Sequence, residues 1–159
     1  LGIKKHKKIA LEEAVVLLHS ILFAYQKSVR DILRTGDAIF VDPVIDTINK
    51  LHRKIGVSLS EGRNVDEVME NYAKRLMMRG LVKKSVIEKQ SEEEYMLKIE
   101  GCALNRDGKV HELLKPKDVT CPWGIIAQAI YSKSTGKKVA VTDSAFEKDL
   151  SATGIKPRR

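Results

Sequence analysis

The sequence predicts an α+β domain, with N-terminal helices packed on a C-terminal, mainly antiparallel sheet. Three observations predict it. Apolar residues recur at intervals of three and four from residue 11 to about residue 80, the period drops to two just after Gly80, and one further helical stretch, about residues 121–135, is inserted among the strands. A chain of 159 residues with 43% hydrophobic and 31% charged residues is enough for one domain, 1–159, around one core.

The first helix is expected over 11–34. Leu11, Val15, Leu18, Leu22, Tyr25, Val29 and Ile32 alternate steps of four and three, which keeps them on one face, and Ala14, Leu17, Ile21 and Ala24 widen it. Such a seam suits either core or a dimer interface, and core is the preferred reading; His19, beside Glu12 and Gln26, reads as a surface histidine. Gly36 stops this helix, and Asp42-Pro43 starts a second with the stripe Val44, Ile48, Leu51 and Ile55, closed by Gly56. Asn64 with Glu67 three residues on resembles a capping box and opens a third helix, whose stripe is Val65, Met69, Tyr72 and Leu76 and whose stop is Gly80. Met69, Met77 and Met78 read as core filler.

Residues 81–89 and 93–101 read as a β-hairpin around Ser91-Glu92, with Tyr95, Leu97 and Ile99 alternating against Met96, Lys98 and Glu100. A turn at Asn105–Gly108 and a helical turn at His111–Leu114 follow. The inserted helix begins at Cys121-Pro122, turns Trp123, Ile126, Ala127 and Ile130 inward, and ends at Gly136. Val139 and Val141 start a strand, and Thr153–Ile155 reads as a last edge strand.

Seven of the eight net positive charges lie in two basic tails, Lys4, Lys5, Lys7 and Lys8 in 1–8 and Lys156, Arg158 and Arg159 in 156–159. The near-neutral body argues against a nucleic-acid face, so only weak duplex contacts through the tails are expected. A rival pattern is a winged-helix module, formed by helix 64–79 and the hairpin with Lys74, Arg75, Arg79, Lys83 and Lys84 at their junction. No apolar run approaches membrane-spanning length, and two cysteines make no disulfide framework, which points to a reducing, cytoplasmic compartment. No secretory signal is visible, and the missing initiator Met points to trimming or an incomplete chain. The preference for Lys, Glu and Ile over Gln and Asn leans towards a thermophile.

Cys121 is the first candidate for chemistry. With Pro122 at the first helical position it becomes the N-cap, where free amide groups and the helix dipole favour a thiolate, aided by Lys115 and Lys117. Cys102 lies 19 residues earlier, with His111 between them. Cys102, His111 and Cys121 supply three zinc ligands without a spacing signature, against the four a structural site takes, so a metal-free cap is the preferred reading and zinc the weaker alternative. No nucleophile elbow, phosphate loop or dinucleotide fingerprint occurs, so no catalytic residue is assigned.

Cys121-Pro-Trp-Gly-Ile-Ile-Ala-Gln-Ala-Ile130, followed by Ser134-Thr-Gly-Lys-Lys-Val-Ala-Val-Thr142, resembles the core of 4-vinyl-reductase domains and looks closest to an archaeal branch of that family. Its relatives include hydrocarbon-sensing domains of transcription activators and a bacteriochlorophyll-biosynthesis protein. The resemblance implies a fold shared with haem nitric-oxide-binding domains and Golgi transport-particle subunits, and carries Cys121 over as the functional position. Family members often hold two more cysteines around a glycine after the last strands; Phe146–Pro157 keeps Gly154 and has neither. The expectation is a non-catalytic sensor domain, homodimeric, binding a small apolar or aromatic molecule between helices and sheet. Cys121, Trp123, Tyr25 and Tyr72 are its expected lining. The alternatives are the winged-helix reading and, from the family name, a component of a reductase.

Overall fold

The computed structural model describes residues 11–33, 43, 44, 46, 47, 50, 58–105, 108–114, 119–140 and 142–158. Helix α1 spans Leu11–Leu33, as its periodicity predicts, but presents the opposite face. His19, Phe23 and Gln26 are buried, whereas Leu11, Leu18, Leu22, Tyr25 and Ile32 are 46–79% exposed. This corrects two expectations: the apolar seam is not core, and His19 is not on the surface. The inward stripe is held by specific partners instead of by area. His19 Nδ1 donates to the Leu104 carbonyl at 2.7 Å, and Phe23 packs on His19, His111 and Phe146. Gln26 bonds both backbone groups of Thr120, and Arg30 pairs with Asp143.

Of the expected second helix, residues 43, 44, 46, 47 and 50 are helical, and Val44 packs against the main core. Gly36, Ile48, Leu51, Ile55 and Gly56 lie outside the described residues, as do residues 1–8, Lys115, Lys117 and Val141.

Helix α2 spans Val65–Met78. The Asn64 side chain accepts from Glu67 N at 2.9 Å, but Glu67 turns its carboxylate to Arg63, accepting from the Arg63 backbone N at 3.0 Å, so only half of the capping box forms. The helix ends in a Schellman motif. Gly80 at φ +67° donates to Met77 O, and Leu81 donates to Leu76 O. Val68, Met69, Tyr72, Ala73 and Leu76 are buried. Met77 and Met78 are exposed on the last turn, away from that stripe, so of the three methionines only Met69 fills core.

Strands β1 (Val82–Lys89) and β2 (Tyr95–Cys102) form the predicted antiparallel hairpin, with Tyr95, Leu97 and Ile99 inward. Helix α3 (Lys109–Leu114) is short; Asn105 Oδ1 accepts from His111 N. Helix α4 covers Pro122–Thr135, and Gly136 at φ +68° ends it. Two short strands, β3 (Val139–Ala140) and β4 (Ser144–Phe146), lead to β5 (Leu150–Pro157).

The sheet order is β1-β2-β5-β3, all antiparallel, with β4 also paired to β5. The fold is α+β, as the sequence predicts. Its last strand is not an edge: β5 pairs with β2 on one side and with β3 and β4 on the other. The expected basic tail is corrected with it, since Lys156 and Pro157 pair with β3 and Arg158 N donates to Lys138 O. The inner face of β5 carries Ser151 and Thr153, both buried, where an apolar alternation would have announced a central strand. Helix α4 lies on this face. A Cβ at Gly124 would come within 2.5 Å of Thr153 Oγ1, so the close approach of helix to strand requires glycine there. Helix α2 packs on β1 and α4.

The winged-helix reading loses its basis here. Strand β2 pairs on both sides, so the hairpin is not a free wing. Lys74 and Arg75 are held by Glu70 and Glu61, which removes two of the cations the reading needs. None of the described helices is long and apolar enough to cross a membrane.

Candidate functional site

Three of the four predicted lining residues come together, at the start of α4. Cys121 is the N-cap, with Pro122 behind it, as the sequence predicts, but its thiol makes no capping hydrogen bond. Ser151 Oγ reaches Cys121 Sγ at 3.5 Å, and the Cys121 backbone N donates to Ser144 Oγ at 2.8 Å. Burial pushes the Cys121 thiol up to about 11. The expected thiolate is therefore corrected: desolvation outweighs the helix terminus, and Cys121 is a protonated core thiol.

The Tyr72 hydroxyl, fully buried, donates to the Trp123 carbonyl at 2.8 Å, and burial holds its pKa well above the usual phenol range. The Trp123 indole Nε1 donates to Cys102 Sγ at 3.1 Å, which also receives Leu104 N at 3.4 Å. Burial raises the Cys102 thiol as well. Tyr25 does not join: it is 61% exposed on the outer face of α1.

The zinc trio is not assembled. His111 sits in a separate ring cluster with His19, Phe23 and Phe146, and among the described residues no three His, Cys, Asp or Glu side chains converge on a metal position. A carbonyl can only accept, so the bonds from His19 Nδ1 to Leu104 O and from His111 Nδ1 to Glu147 O at 3.2 Å fix both protons on Nδ1. His19 Nε2 is then a buried acceptor without a hydrogen-bond partner among the described residues. Burial lowers the His19 pKa to about 4, against the opposing pull of the Leu104 carbonyl and with help from His111, and burial lowers His111 too. Sequence reasoning missed this cluster. Its signal was the second stripe of α1, His19, Phe23, Gln26 and Arg30, spaced four, three and four.

Beside Cys102 the surface opens into a pocket of about 430 Å³, lined by Gly80, Val82, Lys83, Gly101, Cys102, Ala103, Asn105 and Asp149. Three segments build it: the α2–β1 turn, the end of β2, and the turn before β5. Gly101 has φ +64°, and a Cβ there would fall 2.5–2.8 Å from the Lys83 stem, so the Lys83 side chain lies along the bare backbone of Gly101. The lining combines apolar groups with two opposite charges, unlike the apolar, aromatic lining expected. Cys102 is its connection to Trp123 and through it to Tyr72.

No family model matches the chain, and no curated protein sequence matches it. Solved structures similar to it include a haem protein of the H-NOX family, 12% identical, with a TM-score of 0.45 over 100% of this chain and 78% of that one. Another is subunit 3 of the trafficking protein particle complex from Naegleria fowleri, covalently bound to palmitic acid, 13% identical, with a TM-score of 0.49 over 92% and 96%. A third is the phenol-responsive sensory domain of the transcription activator PoxR with phenol, 15% identical, with a TM-score of 0.47 over 94% and 84%. These are the kinds of protein that the motif at 121–142 named as fold relatives; at TM-scores below 0.5, ligand and activity have to be argued from this chain's own residues.

Proposed function

We propose that the chain is a non-catalytic, small-molecule-binding domain of the sensor type, with its ligand site in the pocket beside Cys102. The observation that carries the reading is that pocket: its volume is in the range of ligand sites, and one of its lining residues is Cys102, whose sulfur accepts from the indole of Trp123. Occupancy would be felt at Trp123 and, through its carbonyl, at Tyr72 in the core. Protonated thiols and neutral, carbonyl-bound histidines suit binding better than nucleophilic chemistry.

The test uses the protein's own reporters, since Trp123 is the sole tryptophan. Cys102, a lining residue of the pocket, should react with a small thiol reagent faster than Cys121, which is buried in the core and not among the lining residues. A panel of phenol, indole, short fatty acids and amino acids should contain a compound that slows that reaction and shifts Trp123 emission. If no compound changes either signal, or Cys121 reacts first, the reading fails.

The same reading includes a homodimer. It is supported by the exposed row Leu11, Leu18, Leu22, Tyr25 and Ile32, an apolar stripe along one face of α1 of the kind that marks an interaction surface. Sedimentation at tens of micromolar should give a dimer, and Leu18→Lys with Leu22→Lys a folded monomer, because neither leucine is in the core. A wild-type monomer at that concentration would remove the dimer from the proposal.

A further inference from the structure

The charges lining the pocket indicate what it takes. Some side-chain charges around this sheet are matched, Lys98 with Glu88 at 2.8 Å, Lys89 with Asp66 at 3.2 Å, and Lys137 with Glu93. What distinguishes Lys83 and Asp149 from the other unmatched charges is their place. They line one pocket and carry opposite charge, yet neither forms an ion pair with the other or with any described residue. The rest of the lining is Gly80, Gly101, Val82, Cys102, Ala103 and Asn105. Asn105 is already committed, with its amide nitrogen donating to Lys148 O at 2.9 Å and its oxygen accepting from His111 N at 3.1 Å. A donor cation and an acceptor anion are therefore the groups left to orient a ligand.

We propose that this pocket binds a small zwitterion of the free amino-acid class, with the Lys83 ammonium on the ligand carboxylate and the Asp149 carboxylate on the ligand ammonium. This rests on reading the pocket as the ligand site. A neutral apolar molecule would strip water from both charges and return nothing to either. A ligand of single charge would satisfy one group and desolvate the other. A zwitterion answers both with charge-assisted hydrogen bonds. Its side chain meets Val82, Ala103 and the Cys102 thiol, which favours a small or branched aliphatic group over a charged one. The lysine stem lying along Gly101 brings the cation to the pocket without a competing side chain beneath it.

Calorimetric titration of the full chain with L-alanine, L-valine and L-leucine should show one site that also slows thiol labelling of Cys102. Capping either charge, as in N-acetyl-L-valine or L-valine methyl ester, should weaken binding by about tenfold or more, the loss of one charge-assisted hydrogen bond. The variants should cross over: Lys83→Met should weaken L-valine but not the methyl ester further, and Asp149→Asn should weaken L-valine but not the N-acetyl compound further. Both positions are exposed, so the variants are expected to fold. If phenol or indole protects Cys102 while no amino acid binds, the pocket reading survives and the zwitterion assignment falls. If amino acids bind equally to wild type and both variants, the site lies elsewhere and the proposal falls. If nothing binds or protects Cys102, both readings fall together.

Discussion

Gln26→Leu is expected to lower the unfolding free energy by about 3 kcal/mol, because it leaves two buried backbone groups unpaired at once. The Thr120 amide donates to Gln26 Oε1 at 2.9 Å, and Gln26 Nε2 donates to the Thr120 carbonyl at 3.0 Å. Thr120 is fully buried and Gln26 nearly so, so water does not replace either bond. One glutamine side chain acts here as a single residue of a neighbouring strand, joining positions 94 apart in the chain. Leucine fills similar volume and restores neither bond, and each stranded group costs about 1–3 kcal/mol. Urea unfolding at neutral pH measures the loss, with Lys27→Leu, one residue away in an exposed ion pair with Asp31, as a control near zero. A neutral or stabilising Gln26→Leu would mean that α1 docks through its leucine face, and the dimer argument would go with it.

That helix shows where sequence reasoning stops. Its limits were legible because they depend on local periodicity, and the Asn64 cap and the stops at Gly80 and Gly136 were legible because they depend on a residue's own backbone. Which face turns inward was not. Periodicity finds the apolar stripe, but α1 meets the rest of the fold at loop backbone, the Leu104 carbonyl and the Thr120 peptide, where polar side chains are the right partners. The central place of β5 was hidden for a related reason. Its buried Ser151 and Thr153 are satisfied by Cys121 and Ser144, so a strand without apolar alternation still sits inside the sheet. Cys121 was placed correctly from Cys-Pro alone, while its protonation state follows from burial among Tyr72 and Cys102, which no local pattern contains. The pocket draws on three separated segments, so the sequence offered Lys83 only as a duplex-facing cation and gave no sign that it shares a pocket with Asp149.

Acid is expected to loosen the same contact between α1 and the sheet, by about 2.5 kcal/mol between pH 7.5 and 4.5 from His19 alone. In the folded chain His19 has a pKa of about 4 against its ordinary value of 6.5, with burial as the main cause. A folded pKa below the unfolded one means the unfolded chain binds more protons in this window. The contribution of neutral His19 is therefore complete above about pH 6.5 and is lost as pH falls towards 4. His111, 5.9 Å away between ring centroids and also lowered by burial, adds in the same direction, with Asp149 partly opposing it. Protonation would put charge on a ring packed against Phe23 and on a buried Nε2 that no described group receives. Asp66 and Glu67 have lowered pKa values and add their own acid loss below this range, so the measurement stops at about pH 4.5. His19→Phe keeps the ring packing, loses the bond to Leu104, and should be less stable at pH 7.5 yet flatter in its pH dependence. Urea unfolding at several pH values separates the two effects, since a lost hydrogen bond shifts the whole curve and a lost titration changes its slope. Equal slopes in wild type and His19→Phe would show that His19 is not buried as a neutral imidazole, and the inward face assigned to α1 would be wrong.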